Sequence, residues 1–127
     1  MSPFDLKKQV FEKALNQLIK ALNEPKSEYL RDACIQRFEF TYELAWKTLK
    51  QYLASLDIMV LNPKETLKAA YQQQLITDAE AWSILHQKRN LTSHTYDPDL
   101  AESIYEYLKV DGINLFINLK EKLDQLS

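Results

Sequence analysis

The sequence predicts an all-α fold, an up-down antiparallel bundle of about five helices, and three observations predict it. One Gly and four Pro in 127 residues leave little of the punctuation that a sheet protein needs at its turns. Apolar residues recur at intervals of three and four rather than alternating. Ser, Asn, Thr or Asp stands ahead of each periodic stretch, where a helix start needs an acceptor for its unpaired N–H groups. No internal repeat, low-complexity tract or linker interrupts the pattern, so residues 1–127 read as one helical domain whose short loops favour antiparallel neighbours.

The elements run in order. Ser2-Pro3-Phe4-Asp5 supplies a capping hydroxyl, a proline at the first helical position and an acid in the first turn, ahead of Val10, Phe11, Ala14, Leu15, Leu18 and Leu22. After Asn23-Glu24-Pro25, Ser27 caps a long second helix with Leu30, Ala33, Cys34, Phe38, Ala45, Leu49, Tyr52, Leu53 and Leu56 on one broad face. Asn62-Pro63-Lys64-Glu65 and Thr77-Asp78-Ala79-Glu80 resemble capping boxes, with a Glu three residues after the cap able to reach back, and begin helices three and four. Asp97-Pro98-Asp99 restarts the chain, because a proline disfavours helical geometry in the residue before it and suits the first turn of a new helix. The last helix carries Leu100, Ile104, Leu108, Ile113, Phe116, Leu119 and Leu123. Gly112 inside it costs about 1 kcal/mol relative to Ala, so a kink or a break is expected there.

Composition excludes several function classes. No stretch approaches the roughly twenty apolar residues that span a bilayer, and the N-terminus, with Lys7 and Lys8 in an amphipathic pattern, lacks a secretory apolar segment. The expectation is a cytoplasmic protein without a membrane partner. Cys34, the one cysteine, has Leu30 and Phe38 at helical spacing and reads as a small buried hydrophobe. With 16 basic and 18 acidic residues the chain carries a formal charge of -2, so any attraction for RNA must be local. His86, Lys88, Arg89 and His94 form the one basic cluster beside candidate chemistry. His86 and His94 are eight residues apart, no Cys is near and no carboxylates cluster around them, so neither a metal nor a cofactor is expected.

That chemistry lies in Arg89-Asn90-Leu91-Thr92-Ser93-His94-Thr95-Tyr96. Arg holds a phosphate through a planar fork of donors, neutral His accepts a proton near pH 7 and returns it, and Tyr adds a hydroxyl. At about 100° per residue, an unbroken helix sets Arg89 and Tyr96 about 20° apart but Arg89 and His94 about 140° apart. Either the helix ends between Leu91 and Thr95, as the Thr, Ser and following Asp-Pro encourage, or two subunits assemble the site. Plainer roles stand beside these: Arg89 pairing with a carboxylate on a neighbouring helix, His94 capping a helix end, and Phe38, Tyr42 and Trp46 packing a core or an interface. Glu39 and Glu43 read mainly as a solvated face; at a cleft they would orient Arg89. His86 reads as a surface or interface residue.

Arg-x4-His-x-Tyr, as Arg89, His94 and Tyr96, resembles the HEPN superfamily and within it the HepT toxins encoded beside a minimal nucleotidyltransferase of the MntA type. The run Arg37-Phe38-Glu39-Phe40-Thr41-Tyr42-Glu43-Leu44-Ala45-Trp46-Lys47-Thr48-Leu49-Lys50 is similar to the second-helix signature of the same group, so the resemblance spans nearly the whole chain. It implies a homodimer whose paired motifs line a shared cleft. It also implies metal-independent cleavage of RNA, with His94 as base, Arg89 on the phosphoryl oxygens, and Asn90 or Ser93 helping to position the phosphate. Silencing would come from the nucleotidyltransferase antitoxin encoded nearby, through transfer of AMP to Tyr96. The family's older name implies an alternative: a non-enzymatic substrate-binding subunit of that nucleotidyltransferase. The catalytic nucleotidyltransferase is a separate polypeptide, because its Gly-Ser turn and paired aspartates are missing here.

Overall fold

A computed structural model describes residues 1–126; Ser127, the last position of the expected domain, lies outside the described residues. The chain is helical throughout, with no strand among the described residues: α1 (Pro3–Leu22), α2 (Glu28–Ser55), α3 (Pro63–Gln72), α4 (Ala79–Leu91), a 3₁₀ turn (Thr92–His94), α5 (Pro98–Tyr107), a π turn (Leu108–Gly112) and α6 (Ile113–Leu126). Backbone angles at Leu108 and Ile113 stay right-handed helical, so α5 and α6 join through the π turn into one rod, giving the five rods of the expected bundle.

The starts obey the capping chemistry. Ser2 and Asp5 make a reciprocal capping box, and Ser27 accepts from the Leu30 amide. Asn62 Oδ1 accepts from the Glu65 amide at 2.9 Å, while the Glu65 carboxylate reaches one residue further back, to the Leu61 amide at 2.8 Å. For α4 the cap is Asp78, not Thr77: its carboxylate accepts from the Ala81 amide at 2.9 Å. An Asp carboxylate also complements the positive helix end, which a hydroxyl does not.

The ends were less visible. α2 and α3 both stop in Schellman motifs whose left-handed residue is not glycine: Asp57 at φ 63° and Gln74 at φ 61°. After α2, the Ile58 amide bonds Leu53 O and the Asp57 amide bonds Ala54 O; after α3, Leu75 bonds Ala70 O and Gln74 bonds Tyr71 O. Ile58 and Leu75 pack inward and anchor these turns, which offsets the cost of a side chain in that conformation. At Gly112 the α-helical pattern is interrupted by the π turn that separates α5 from α6. The π turn widens the helix there, a Cβ would stand 3.1 Å from both Leu108 Cδ2 and Tyr107 Cε2, and Asn114 Nδ2 donates to Val110 O at 3.1 Å.

α2 is the scaffold, packed against α1, α3, α4 and α5, while α6 closes on α1. The ring of Phe116 on α6 meets Phe11 of α1, Phe38 of α2 and Trp82 of α4 at centroid separations of 6.3, 6.1 and 6.1 Å. This aromatic hub fixes where α4 lies on α2, and with it the motif at the end of α4. Cys34 is fully buried, and burial pushes its thiol above the ordinary range, as befits a packing residue. No described helix is long and apolar enough to cross a membrane.

Candidate active site

α4 ends at Leu91, where the hydroxyl side chains just beyond it take up backbone carbonyls around the helix end. Thr92 Oγ1 donates to Arg89 O at 2.7 Å, Ser93 Oγ to Asn90 O at 3.2 Å and Thr95 Oγ1 to Thr92 O at 3.0 Å. Asp97 then starts α5, its side chain accepting from the Asp99 amide and its own amide donating to His94 O. The motif is therefore a corner: Arg89 and Asn90 on the last turn of α4, Ser93 and His94 in the 3₁₀ turn, Tyr96 before α5. The helix is thus broken between Leu91 and Thr95.

Arg89 is held in place. Its Nη1 donates to Thr92 Oγ1 at 3.0 Å; Nη1 lies 3.9 Å from Glu39 Oε2, and Nη2 lies 3.7 Å from Glu43 Oε1. The pairing of Arg89 with carboxylates on a neighbouring helix is thus what the distances show. The ion-pair distances exceed direct hydrogen bonds, so the two carboxylates bias the guanidinium without saturating its donors. Each such half-exposed pair is worth about 0.2–1 kcal/mol. Glu43 is itself steered by Trp46, whose Nε1 donates to Oε2 at 3.1 Å.

Beyond the corner, His94 and Tyr96 are both exposed, and their rings meet edge to face at 6.1 Å and 81°. No hydrogen bond or ion pair joins Arg89 to His94 among the described residues. Ser93 is committed to the Asn90 carbonyl. The four basic residues grouped in the sequence do not form one patch: His86 turns to α2, Lys88 lies over the Tyr107 ring at 5.4 Å, Arg89 engages Glu39 and Glu43, and His94 faces solvent.

His86 reaches from the surface toward α2. It is half-buried, and its Nδ1 lies 2.7 Å from the hydroxyl of Tyr42, a fully buried residue of α2; its Nε2 lies 3.4 Å from Asn90 Nδ2. These contacts suit a neutral imidazole, in which one ring nitrogen donates and the other accepts. Burial, then Lys64 and Arg89, push the His86 pKa below its ordinary value, and burial and Glu43 push the Tyr42 phenol up, both favouring this neutral pair. The unfolded chain therefore takes up the His86 proton before the folded one. The stability contributed by the neutral ring is full above about pH 6.5 and is lost as the pH falls through the lowered folded-state value. Urea midpoints measured from pH 7.5 to 5 should fall more steeply for the wild type than for His86→Gln; parallel profiles would refute the coupling.

Sequence reasoning missed this Tyr42–His86 pair, since 44 residues separate its members. Thr92 was legible only as a helix breaker, although its place three residues after Arg89 matches the neighbour spacing of a helix. No group of three or more His, Cys, Asp or Glu residues that could hold a metal ion occurs among the described residues.

The all-α bundle has the fold of a HEPN-like helical domain. More narrowly, the chain belongs to the nucleotidyltransferase substrate binding protein like family, whose model matches residues 6–125. Over 76 residues it is 40% identical to a Haemophilus influenzae protein described as a probable ribonuclease HepT; the match covers 56% of this chain and 52% of that relative, about half its length. A Thermus thermophilus protein of known crystal structure superposes with a TM-score of 0.77 at 32% identity, covering 91% of this chain and 97% of the other. A second Haemophilus influenzae structure, described as revealing the fold of a substrate binding domain of a nucleotidyltransferase, gives 0.70 at 30% identity over 96% and 97%.

Proposed function

We propose that this protein is a HepT-like endoribonuclease whose site is the corner between α4 and α5, and that a separately encoded MntA-type nucleotidyltransferase silences it. The observation that carries the reading is the contrast within the motif: Arg89 has two carboxylates on α2 and the Thr92 hydroxyl of the 3₁₀ turn as partners, while His94 and Tyr96 stand exposed beside it in sequence, open to a polymer. A phosphate needs an oriented cation and a proton acceptor that solvent-borne RNA can reach.

In this reading His94 takes the proton of a ribose 2′-hydroxyl, the 2′-oxygen attacks the adjacent phosphorus, and the 5′-oxygen leaves with a proton from His94 or water. The products are a 2′,3′-cyclic phosphate and a 5′-hydroxyl. Arg89 stabilises the charge on the phosphoryl oxygens, and Asn90, held by His86, borders the phosphate. Ser93 contributes by closing the turn. Two copies related by a twofold axis would bring their corners to one groove and double the local positive charge that a chain of formal charge -2 lacks.

A second reading has its own support. Arg89 is already engaged by Glu39 and Glu43, and a nucleotidyltransferase substrate-binding subunit would need that corner only as a docking surface. Cleavage of RNA by the purified protein, with end-group analysis of the products, decides between them. Diverse RNAs left intact, together with harmless expression in cells lacking the nucleotidyltransferase, would establish the non-enzymatic subunit.

Tyr96 is 84% exposed, so its hydroxyl is accessible to a transferase. Attack of that oxygen on the α-phosphorus of ATP would release pyrophosphate and leave AMP on Tyr96, placing bulk and negative charge beside His94. Co-expression with the neighbouring nucleotidyltransferase should add AMP-sized mass increments to the peptide containing Tyr96, and none to Tyr96→Phe. Unmodified yet fully inactive protein in the complex would show that silencing is steric.

A further inference from the structure

Between α3 and α4 runs a groove of about 420 Å³ that none of the site residues above was assigned to use, apart from His86 at its end. Its floor is apolar, with Leu67 buried and Tyr71 half exposed, while Lys64 and Lys68 stand at its rim. No carboxylate lines it, and neither lysine makes an ion pair among the described residues. An aromatic wall beside two unpaired cations suits a flat, apolar base carrying a phosphate.

The groove leads to the motif. On α4, Ser83 and His86 line it and Asn90 continues the same stripe at helical spacing, joined to His86 at 3.4 Å. Ser83 to Arg89 is six residues, about 9 Å along the helix axis. We propose that this groove is a subsite for a nucleotide flanking the scissile phosphate of a single-stranded RNA, with its base stacked on Tyr71 and its phosphate held by Lys64 and Lys68. The inference rests on the ribonuclease reading. A strand, unlike a free mononucleotide, occupies the groove and reaches Arg89 at once. A second copy of this chain seated here about a twofold axis would bring four lysines together with no carboxylate in the groove to offset them.

The test is fluorescence anisotropy of a labelled single-stranded RNA made uncleavable by 2′-O-methylation, titrated with full-length protein at several salt concentrations. Tyr71→Ala should weaken binding about tenfold, the order of one lost base stack, and Tyr71→Phe should not. The Lys64→Gln/Lys68→Gln double variant should flatten the dependence of log K on log salt by about 0.7 per lysine. It leaves the apolar groove intact, so it reports even if Tyr71→Ala fails to fold. Wild-type binding unchanged in all three variants would overturn the subsite and leave the ribonuclease reading standing; no wild-type binding to any RNA would remove both. Competition by ATP as effective as by the oligonucleotide would make a mononucleotide the occupant, and light scattering that shows Tyr71→Ala dissociating a dimer would make the groove a self-interface. Either result overturns the proposal.

Discussion

His94→Ala is expected to slow RNA cleavage by about 10²- to 10⁴-fold, the range that a positioned general base contributes, while helical content and thermal stability stay at wild-type values. The imidazole is exposed and meets the exposed Tyr96 ring, so its loss opens no cavity and leaves no buried group unpaired. Arg89 needs a subtler pair of variants. Arg89→Ala also leaves Glu39 and Glu43 facing each other at i, i+4 without a cation between them, so lost activity alone would not separate chemistry from structure. Arg89→Lys keeps the charge between the two carboxylates but loses the planar fork. The expected result is a variant as stable as the wild type whose cleavage is nearly as impaired as that of Arg89→Ala. Recovery of most activity in Arg89→Lys would mean that the residue serves only as a bulk cation. Added chelator should leave the wild-type rate unchanged.

Phe116→Ala is expected to cost about 3–5 kcal/mol of folding stability, the range for a large aromatic cut to Ala in a packed core. The ring is fully buried and meets rings of α1, α2 and α4, so the cavity opens where four helices converge and cannot collapse by moving one of them. Urea denaturation should show a lowered midpoint with an unchanged slope. A loss under about 1 kcal/mol would mean that the hub repacks, which interiors at crystal-like density seldom do.

The sequence by itself determined most helix starts and most of the core-facing stripes, with Val10 and Leu56 exposed instead, and it offered the break between Arg89 and Tyr96 as one of two routes, because capping and apolar periodicity are local: each needs residues within one or two turns. Even the shift of the α4 cap from Thr77 to Asp78 stays within that range. What ended α2 and α3 was hidden, since Asp57 and Gln74 adopt left-handed geometry only because Ile58 and Leu75 are pulled into the core behind them. The same holds for the site. The motif named Arg89 and His94, but only the packing of α4 on α2 puts Glu39 and Glu43 beside the guanidinium and seats His86 on the buried Tyr42 hydroxyl, and only its place beside α5 sets Lys88 over Tyr107. Those pairings join residues tens of positions apart. Their geometry comes from how the aromatic hub sets one helix against another, which no local spacing encodes.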